Sequence, residues 1–264
     1  YHNWLSTYNY LEDYTKGQCL MSEVDEAFCQ GFKDYLDSCY TKKSSAYKLS
    51  VNSKYSYFNK FRAAIKQAME DKHLHHNPIL RIKAFPQGES FREFLTLDEV
   101  KKLKAVRCDN PVLERAAFWS IRTGMRWGDC LKLRWIDLQY SEDQGYFIRF
   151  NQNKTKSYET LPITEEAVKE LGNPAIDSQE YVFKGLTYSS HNNFLLAKWA
   201  MNAGITKHIT FHSFRHTNAT LLISAGEDIY TVSKMLGHKE LRTTEIYAKV
   251  LNSKKIEAAN RIKF

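Results

Sequence analysis

The chain has 264 residues, 43% of them hydrophobic and 26% charged, so it can bury a sizeable core, suits two compact domains, and is not disordered in the main. Thirty-eight Lys and Arg against 30 Asp and Glu leave a formal charge of +8, which favours a polyanionic partner. The cysteines (Cys19, Cys29, Cys39, Cys108, Cys130) form no C-x-x-C pair, no run of about 18 apolar residues occurs, and the opening residues lack a basic-then-apolar pattern; a disulfide framework, a zinc site, a membrane span and a signal peptide are all unsignalled, and free thiols in the cytoplasm are expected.

Residues 1–40 hold two basic against seven acidic residues, a net of −5, whereas residues 41–83 hold ten against two, a net of +8. Charge this segregated predicts one basic face for the N-terminal region. Ser22 followed by Val24, Phe28, Phe32, Tyr35 and Leu36 predicts a helix with acidic residues in its first turn, where the macrodipole favours them. Tyr55, Phe58, Phe61, Ile65 and Met69 predict a second, with Lys54, Lys60, Arg62 and Lys66 between the apolar positions. Together they make a small helical domain over 1–82. Pro, Gly and charges without periodicity mark a linker at 83–94. Thr96 then opens a capping box with Glu99 ahead of Val100, Leu103 and Val106, and the second domain, 95–264, begins there.

Within it, VLERAAFWSIRTG predicts a helix stopped at Gly124, and GYFIRF and YETLPI predict two strands joined by NQNKTKS. Further helices fit NNFLLAKWAMNAG, HSFRHTNATLLISAG, IYTVSKMLG and LRTTEIYAKV. The expected fold class is mainly α with a small antiparallel β-sheet: a helical domain followed by a mixed α/β domain.

Taken singly, the polar residues of these segments have ordinary explanations. Arg126 in TGMRWGD follows a glycine-stopped helix, where an arginine is commonly ion-paired. His212, Arg215 and His216 in FHSFRHT stand at a helix start; an arginine between two histidines repels a metal ion, whereas His and Arg at that place suit an anion. His238 in LGHKE reads as a helix C-terminal partner, Tyr247 as packing, and the histidines of HLHH at 73–76 as surface residues.

In order, however, Arg126, Lys154, His212, Arg215, His238 and Tyr247, set in TGMRWGDCLKLRW, HSFRHTNATLL and MLGHKELRTTEIYAKV, resemble the signature of the tyrosine recombinase (phage integrase) family over the whole second domain. The resemblance implies transesterification of DNA. Arg126 and Arg215 would clamp the phosphate, His212 would assist Tyr247, and His238 would hydrogen-bond the scissile phosphate. Lys154, with Lys156 two residues on as the alternative, would protonate the leaving 5′-oxygen, and Tyr247 would carry the DNA 3′-phosphate covalently. Physical chemistry agrees: cations at the non-bridging oxygens offset the charge that builds there, an arginine fork donates two parallel hydrogen bonds, and a phenol of pKa about 10 needs such help to attack. The phosphotyrosine conserves bond energy, so neither ATP, metal nor other cofactor is expected. Asp129 and His216 match supporting positions of the family, and Trp127 reads as core packing.

The N-terminal region resembles the family's core-binding (SAM-like) domain, with Lys42, Lys43, Lys48, Lys54 and Lys60 as candidate phosphate contacts. The implied partner is double-stranded DNA with specific recombination sites, bound by a homo-tetramer assembled from monomers through a Holliday junction, with accessory DNA-bending proteins, no membrane, and a bacterial nucleoid location. The chain opens without Met, and the family's further arm-binding domain is expected to be missing. Leu251, Ile256, Ala259 and Ile262 share a helical face expected to pack on a neighbouring protomer. The opening YHNWLSTYNYLEDYTKGQ favours a mobile-element integrase of the conjugative-transposon or prophage type; an Xer-type resolver of chromosome dimers, a type IB topoisomerase and a catalytically silent DNA-binding regulator are the alternatives.

Overall fold

The computed structural model describes residues 2–42, 44–89, 92–151 and 158–248. The chain divides into two compact units, Tyr1–Ser90 and Phe91–Phe264, each with its own apolar core. Lys43, Lys154, Lys156 and the tail positions Leu251, Ile256, Ala259 and Ile262 lie outside the described residues.

In the first unit α1 (His2–Thr15), α2 (Glu26–Ser38) and α3 (Val51–Glu70) pack pairwise around Tyr10, Cys29, Phe32, Leu36, Phe58, Phe61 and Ile65. Each phenyl ring buried there contributes about 2 kcal/mol. α2 does not start after Ser22 as its stripe predicts. The Asp25 carboxylate accepts the Phe28 N–H at 2.7 Å and caps it, while Met21–Glu23 form a 3₁₀ turn. An acidic cap at the positive end of the dipole outcompetes a serine three residues earlier. α1 carries no element in the sequence reading, because its buried face is built of Thr7, Tyr10 and half-buried Leu11 and Tyr14 rather than of aliphatics. Gly31 lets α1 and α2 meet: a Cβ there would stand 2.3 Å from the Tyr14 hydroxyl. A hairpin of β1 (Tyr40–Thr41) and β2 (Ser44–Lys48), too short to show alternation, joins α2 to α3.

The second unit opens with α4 (Leu97–Ala105), whose capping box forms as read: Thr96 Oγ1 accepts the Glu99 N–H at 3.2 Å and Glu99 accepts the Thr96 N–H at 2.7 Å. α5 (Pro111–Thr123) follows, starting with Pro at its first position and wholly burying Leu113, Ala116, Ala117, Trp119 and Ser120. α6 (Trp127–Cys130) is a single turn. A three-stranded antiparallel sheet places β4 (Gly145–Asn151) between β3 (Leu138–Ser141) and β5 (Tyr158–Pro162), with Ile148 opposite both Leu138 and Leu161. α7 (Glu165–Lys169), α8 (Ser190–Asn202), α9 (Phe211–Ala225), α10 (Ile229–Met235) and α11 (Arg242–Ala248) complete the unit. α9 packs on α5, and α10 and α11 pack on α9. Its buried face is therefore broad: every residue from Ser213 to Thr220 is buried.

Gly124 ends α5 in the left-handed region at φ 69°, and a Cβ there would stand 2.5 Å from Leu236 Cδ2 and 2.8 Å from Asn218 Oδ1. Backbone strain and overpacking act together, so Gly124→Ala should lower the unfolding free energy by about 2–4 kcal/mol. Urea denaturation measures this; a change under about 0.5 kcal/mol, the level of an ordinary surface substitution, would show that the loop yields.

Candidate active site

Four segments of the second unit converge on one buried polar cluster. Arg215 projects from the first half of α9 and is 3% exposed. Its Nη1 donates to Gly124 O and its Nη2 to Leu236 O, both at 2.6 Å. These carbonyls close α5 and α10, so the cation sits at the negative ends of two helix dipoles. A guanidinium has five N–H donors, and those left over can meet an anion. Burial first, then the neighbouring Arg126 charge, pushes the Arg215 pKa down to about 9, still charged at neutral pH.

Arg126 occupies the position before α6, in extended backbone, with its side chain 16% exposed. Asp129 lies one turn on, its Oδ2 3.9 Å from Arg126 Nη1 and its side chain almost wholly buried. A buried carboxylate there limits where the guanidinium can swing. Next to it, burial pushes the Cys130 thiol far above the thiolate range, which makes it inert packing.

Tyr247 comes from α11 and is 4% exposed; its hydroxyl lies 2.7 Å from His216 Nδ1. Burial raises the phenol pKa, while the charges of Arg215, Arg92 and Arg126 pull it back. The perpendicular His212 ring stands 4.5 Å from the His216 ring, centroid to centroid, and His212 is exposed. His216, read from the sequence as a supporting residue, touches Tyr247, and the His212 ring stands against the His216 ring. His238 follows Gly237 past α10; its N–H donates to Ser233 O at 3.0 Å and its Nδ1 lies 2.7 Å from the Thr244 hydroxyl. Trp127 packs edge-on against Phe211 at 4.6 Å.

Burial is the main reason that the His216 pKa falls to about 3, with His212, Arg92, Arg215 and His238 adding to it. Above pH about 6.5 the ring is neutral in folded and unfolded chains alike. Below it the unfolded chain binds a proton that the folded one refuses, so stability is lost as pH falls from 6.5 towards 3. The contribution is about 1.4 kcal/mol per pH unit, or about 2 kcal/mol by pH 5. Denaturation of wild type and His216→Gln between pH 7 and 5 should show a shallower slope in the variant; equal slopes would assign the proton uptake to other groups.

Of the predicted residues, Arg126, Asp129, His212, Arg215, His216, His238 and Tyr247 fall in this unit's cluster or its rim. The residue that sequence reasoning missed is Arg92, whose charge acts on both His216 and Tyr247. It sits among aperiodic charges in the stretch read as linker, where nothing local distinguishes it.

Of the candidate lysines that the structure describes, Lys42 and Lys48 lie beside and in the hairpin and Lys54 and Lys60 on α3. Lys42 pairs with Asp13, Lys54 donates to Asp37 at 2.7 Å, and Lys60 lies 5.2 Å from the Trp4 ring centroid. Lys48 is exposed. An exposed pair such as Lys42–Asp13 contributes about 0–1 kcal/mol, whereas the Lys54 side chain is 17% exposed. Among the described residues no group of three or more His, Cys, Asp and Glu is placed to hold a metal ion, and no helix is long and apolar enough to cross a membrane.

Family models described as the phage integrase family and the phage integrase SAM-like domain match residues 93–254 and 1–84. A tyrosine recombinase of Pseudothermotoga lettingae is 26% identical over an alignment of 269 residues, covering 96% of this chain and 90% of the relative. The tyrosine recombinase XerD of Listeria innocua is 30% identical over 212 residues, 74% of this chain and 70% of the relative. In fold, the chain is similar to a lambda integrase solved as a tetramer bound to a Holliday junction: the TM-score is 0.62 at 19% identity, with 93% of this chain and 70% of the other covered.

Proposed function

Because this chain belongs to the phage integrase family, we propose that Tyr247 is its nucleophile and that Arg126 and Arg215 hold the DNA phosphate attacked. The protein is a site-specific tyrosine recombinase, an enzyme that cuts and rejoins DNA strands. The observation that carries the residue assignment is the Tyr247 hydroxyl set 2.7 Å from His216 Nδ1 within the field of the arginines.

In the proposed reaction the Tyr247 Oη–phosphorus bond forms as the bond from phosphorus to the 5′-oxygen breaks. The phenolic proton leaves towards His216 Nδ1, whose basicity rises once a phosphate anion arrives, and exposed His212 stands behind it to pass the proton to solvent. Lys154, with Lys156 as the alternative, gives a proton to the departing 5′-oxygen. His238, aligned by Thr244, donates to a non-bridging oxygen. The resulting 3′-phosphotyrosine conserves the energy of the broken bond, and a 5′-hydroxyl of another strand reverses the step through a Holliday junction. Asp129 restrains Arg126 throughout.

The division into a core-binding part at 1–82, a connector at 83–94 and a catalytic part at 95–264 fits this scheme, with Lys42, Lys43, Lys48, Lys54 and Lys60 as phosphate contacts. A homo-tetramer on paired sites, monomers in free solution, accessory DNA-bending proteins and a nucleoid location in the bacterial cytoplasm belong to the same reading, as does service to a mobile element. The likeness to Listeria innocua XerD gives the second reading, a resolver of chromosome dimers. Covalent trapping tests the core of the proposal: a duplex bearing the recombination site, nicked so that the leaving fragment diffuses away, should yield a protein–DNA adduct whose linked peptide contains Tyr247. Linkage elsewhere, or none from an active preparation, would sink it.

A further inference from the structure

We propose that Thr244 is a positioning residue for His238: its hydroxyl donates to Nδ1 and so keeps the ring's proton on Nε2, the nitrogen that would donate to the phosphate. The inference rests on the role given to His238 in the proposed reaction, but its first readout needs no DNA.

The His238 ring is held from two helices. Gly237 turns into the left-handed region at φ 60° just past α10, and the His238 N–H donates back to Ser233 O at 3.0 Å, which ties the His238 backbone to the end of that helix. The ring is met from α11: its Nδ1 lies 2.7 Å from Thr244 Oγ1. Thr244 is wholly buried and stands three residues before Tyr247, so the two side chains share a buried face of α11, which packs on α9 and α10. One short helix thus carries both the proposed nucleophile and the hydroxyl that meets His238.

A neutral imidazole has one N–H donor and one bare acceptor nitrogen, and a hydroxyl can complement either. Burial decides between them. The Thr244 hydroxyl is out of reach of solvent, and a buried donor left without an acceptor costs about 1–3 kcal/mol. Four other helical threonines, Thr7, Thr15, Thr123 and Thr217, donate this hydrogen to the carbonyl four residues back, at 2.7–3.0 Å. Thr244 makes no such bond among the described residues, because it stands in the first turn of α11 and Glu240, four back, precedes the helix. Its hydrogen therefore goes to Nδ1, which fixes the ring's own proton on Nε2. The opposite tautomer would leave the hydroxyl hydrogen unmet and turn a bare lone pair towards the phosphate. A protonated Nε2 donates to a non-bridging oxygen, whereas a bare one repels it.

Ring-nitrogen spectra of the full chain labelled with ¹⁵N-histidine, taken at pH about 8.5, above the ordinary histidine range, distinguish a protonated nitrogen from a bare one. Among the signals of nine histidines, those of His238 are the ones absent from His238→Asn. Wild type should show Nε2 protonated and Nδ1 bare. Thr244→Val keeps the branched shape and removes the donor, so its His238 nitrogens should move to intermediate shifts, while Thr244→Ser should keep the wild-type pattern. Single-turnover cleavage of nicked recombination-site DNA should fall about tenfold in the valine variant and recover in the serine variant. Removing such a donor outright costs more, about 10²–10³. A wild-type ring protonated on Nδ1 overturns the proposal, and that reading needs no variant to fold. So does a valine variant with wild-type shifts, whatever its cleavage rate. A shifted ring with unchanged cleavage would instead sink the role given to His238 in the reaction and leave the tautomer assignment standing.

Discussion

Tyr247→Phe should form no covalent adduct with nicked recombination-site DNA while still binding that DNA. The substitution removes one oxygen and keeps the ring that packs with Ala219, Ile223, Val232 and Leu236. What is lost in the folded protein is the contact with His216 Nδ1 at 2.7 Å, a neutral hydrogen bond contributing about 1 kcal/mol. Chemistry, by contrast, loses the oxygen proposed to form the phosphoester. Gel separation of adducts under denaturing conditions, beside mobility shifts under native ones, reads both quantities. An adduct persisting at the wild-type level would move the nucleophile elsewhere. Loss of binding together with cleavage would instead mean that the ring no longer seats.

Arg215→Ala should be damaging in two currencies at once. Gly124 O and Leu236 O, which now accept at 2.6 Å, would be left buried without that partner, at a cost of about 2–4 kcal/mol for the pair. Single-turnover cleavage should fall by about 10²–10³ or more, the scale for removing a preorganised donor from a developing oxyanion. Arg215→Lys discriminates between the two effects. A lysine keeps the charge but presents one compact ammonium, so it cannot span both carbonyls and also grip a phosphate with a planar fork. Its cleavage rate should stay nearer to the alanine variant than to wild type, measured where circular dichroism shows all three folded. Wild-type cleavage in the lysine variant would reduce the role of Arg215 to that of a point charge.

The burial that makes Arg215 structurally necessary also shapes the resting chemistry. With 4% exposure, a phenol pKa raised by burial and a neutral His216 beside it, Tyr247 is protonated at neutral pH. In the proposed reaction an arriving phosphate would be the trigger: it would meet the Arg215 donors that do not reach Gly124 O and Leu236 O and would raise the basicity of the histidines. The field proposed to bind the substrate would thereby also prepare the proposed nucleophile.

Much of the framework was legible in local pattern. The Thr96–Glu99 capping box, the Gly124 stop, the stripe from Phe58 to Ile65 and the two strands around NQNKTKS need only contacts within a turn or across one hairpin, and the structure has all of those it describes. α1 escaped because its inward face is aromatic and hydroxylic, so hydropathy does not mark it. The start of α2 moved because two capping residues competed and only one carried charge.

By itself, then, the sequence determined most of the helices, two of the three strands of the larger sheet and the residue types that match the family, since capping, periodicity and motif spacing are written within a few residues. Tertiary structure alone decided which of these residues meet. Arg215 reaches carbonyls 91 and 21 positions away, His216 meets Tyr247 31 positions on, and Leu95 is pinned to Thr217 across 122. No periodicity spans such intervals. That His216 meets the Tyr247 hydroxyl follows from how α9 is buried between its neighbours, and burial is a property of the packed chain.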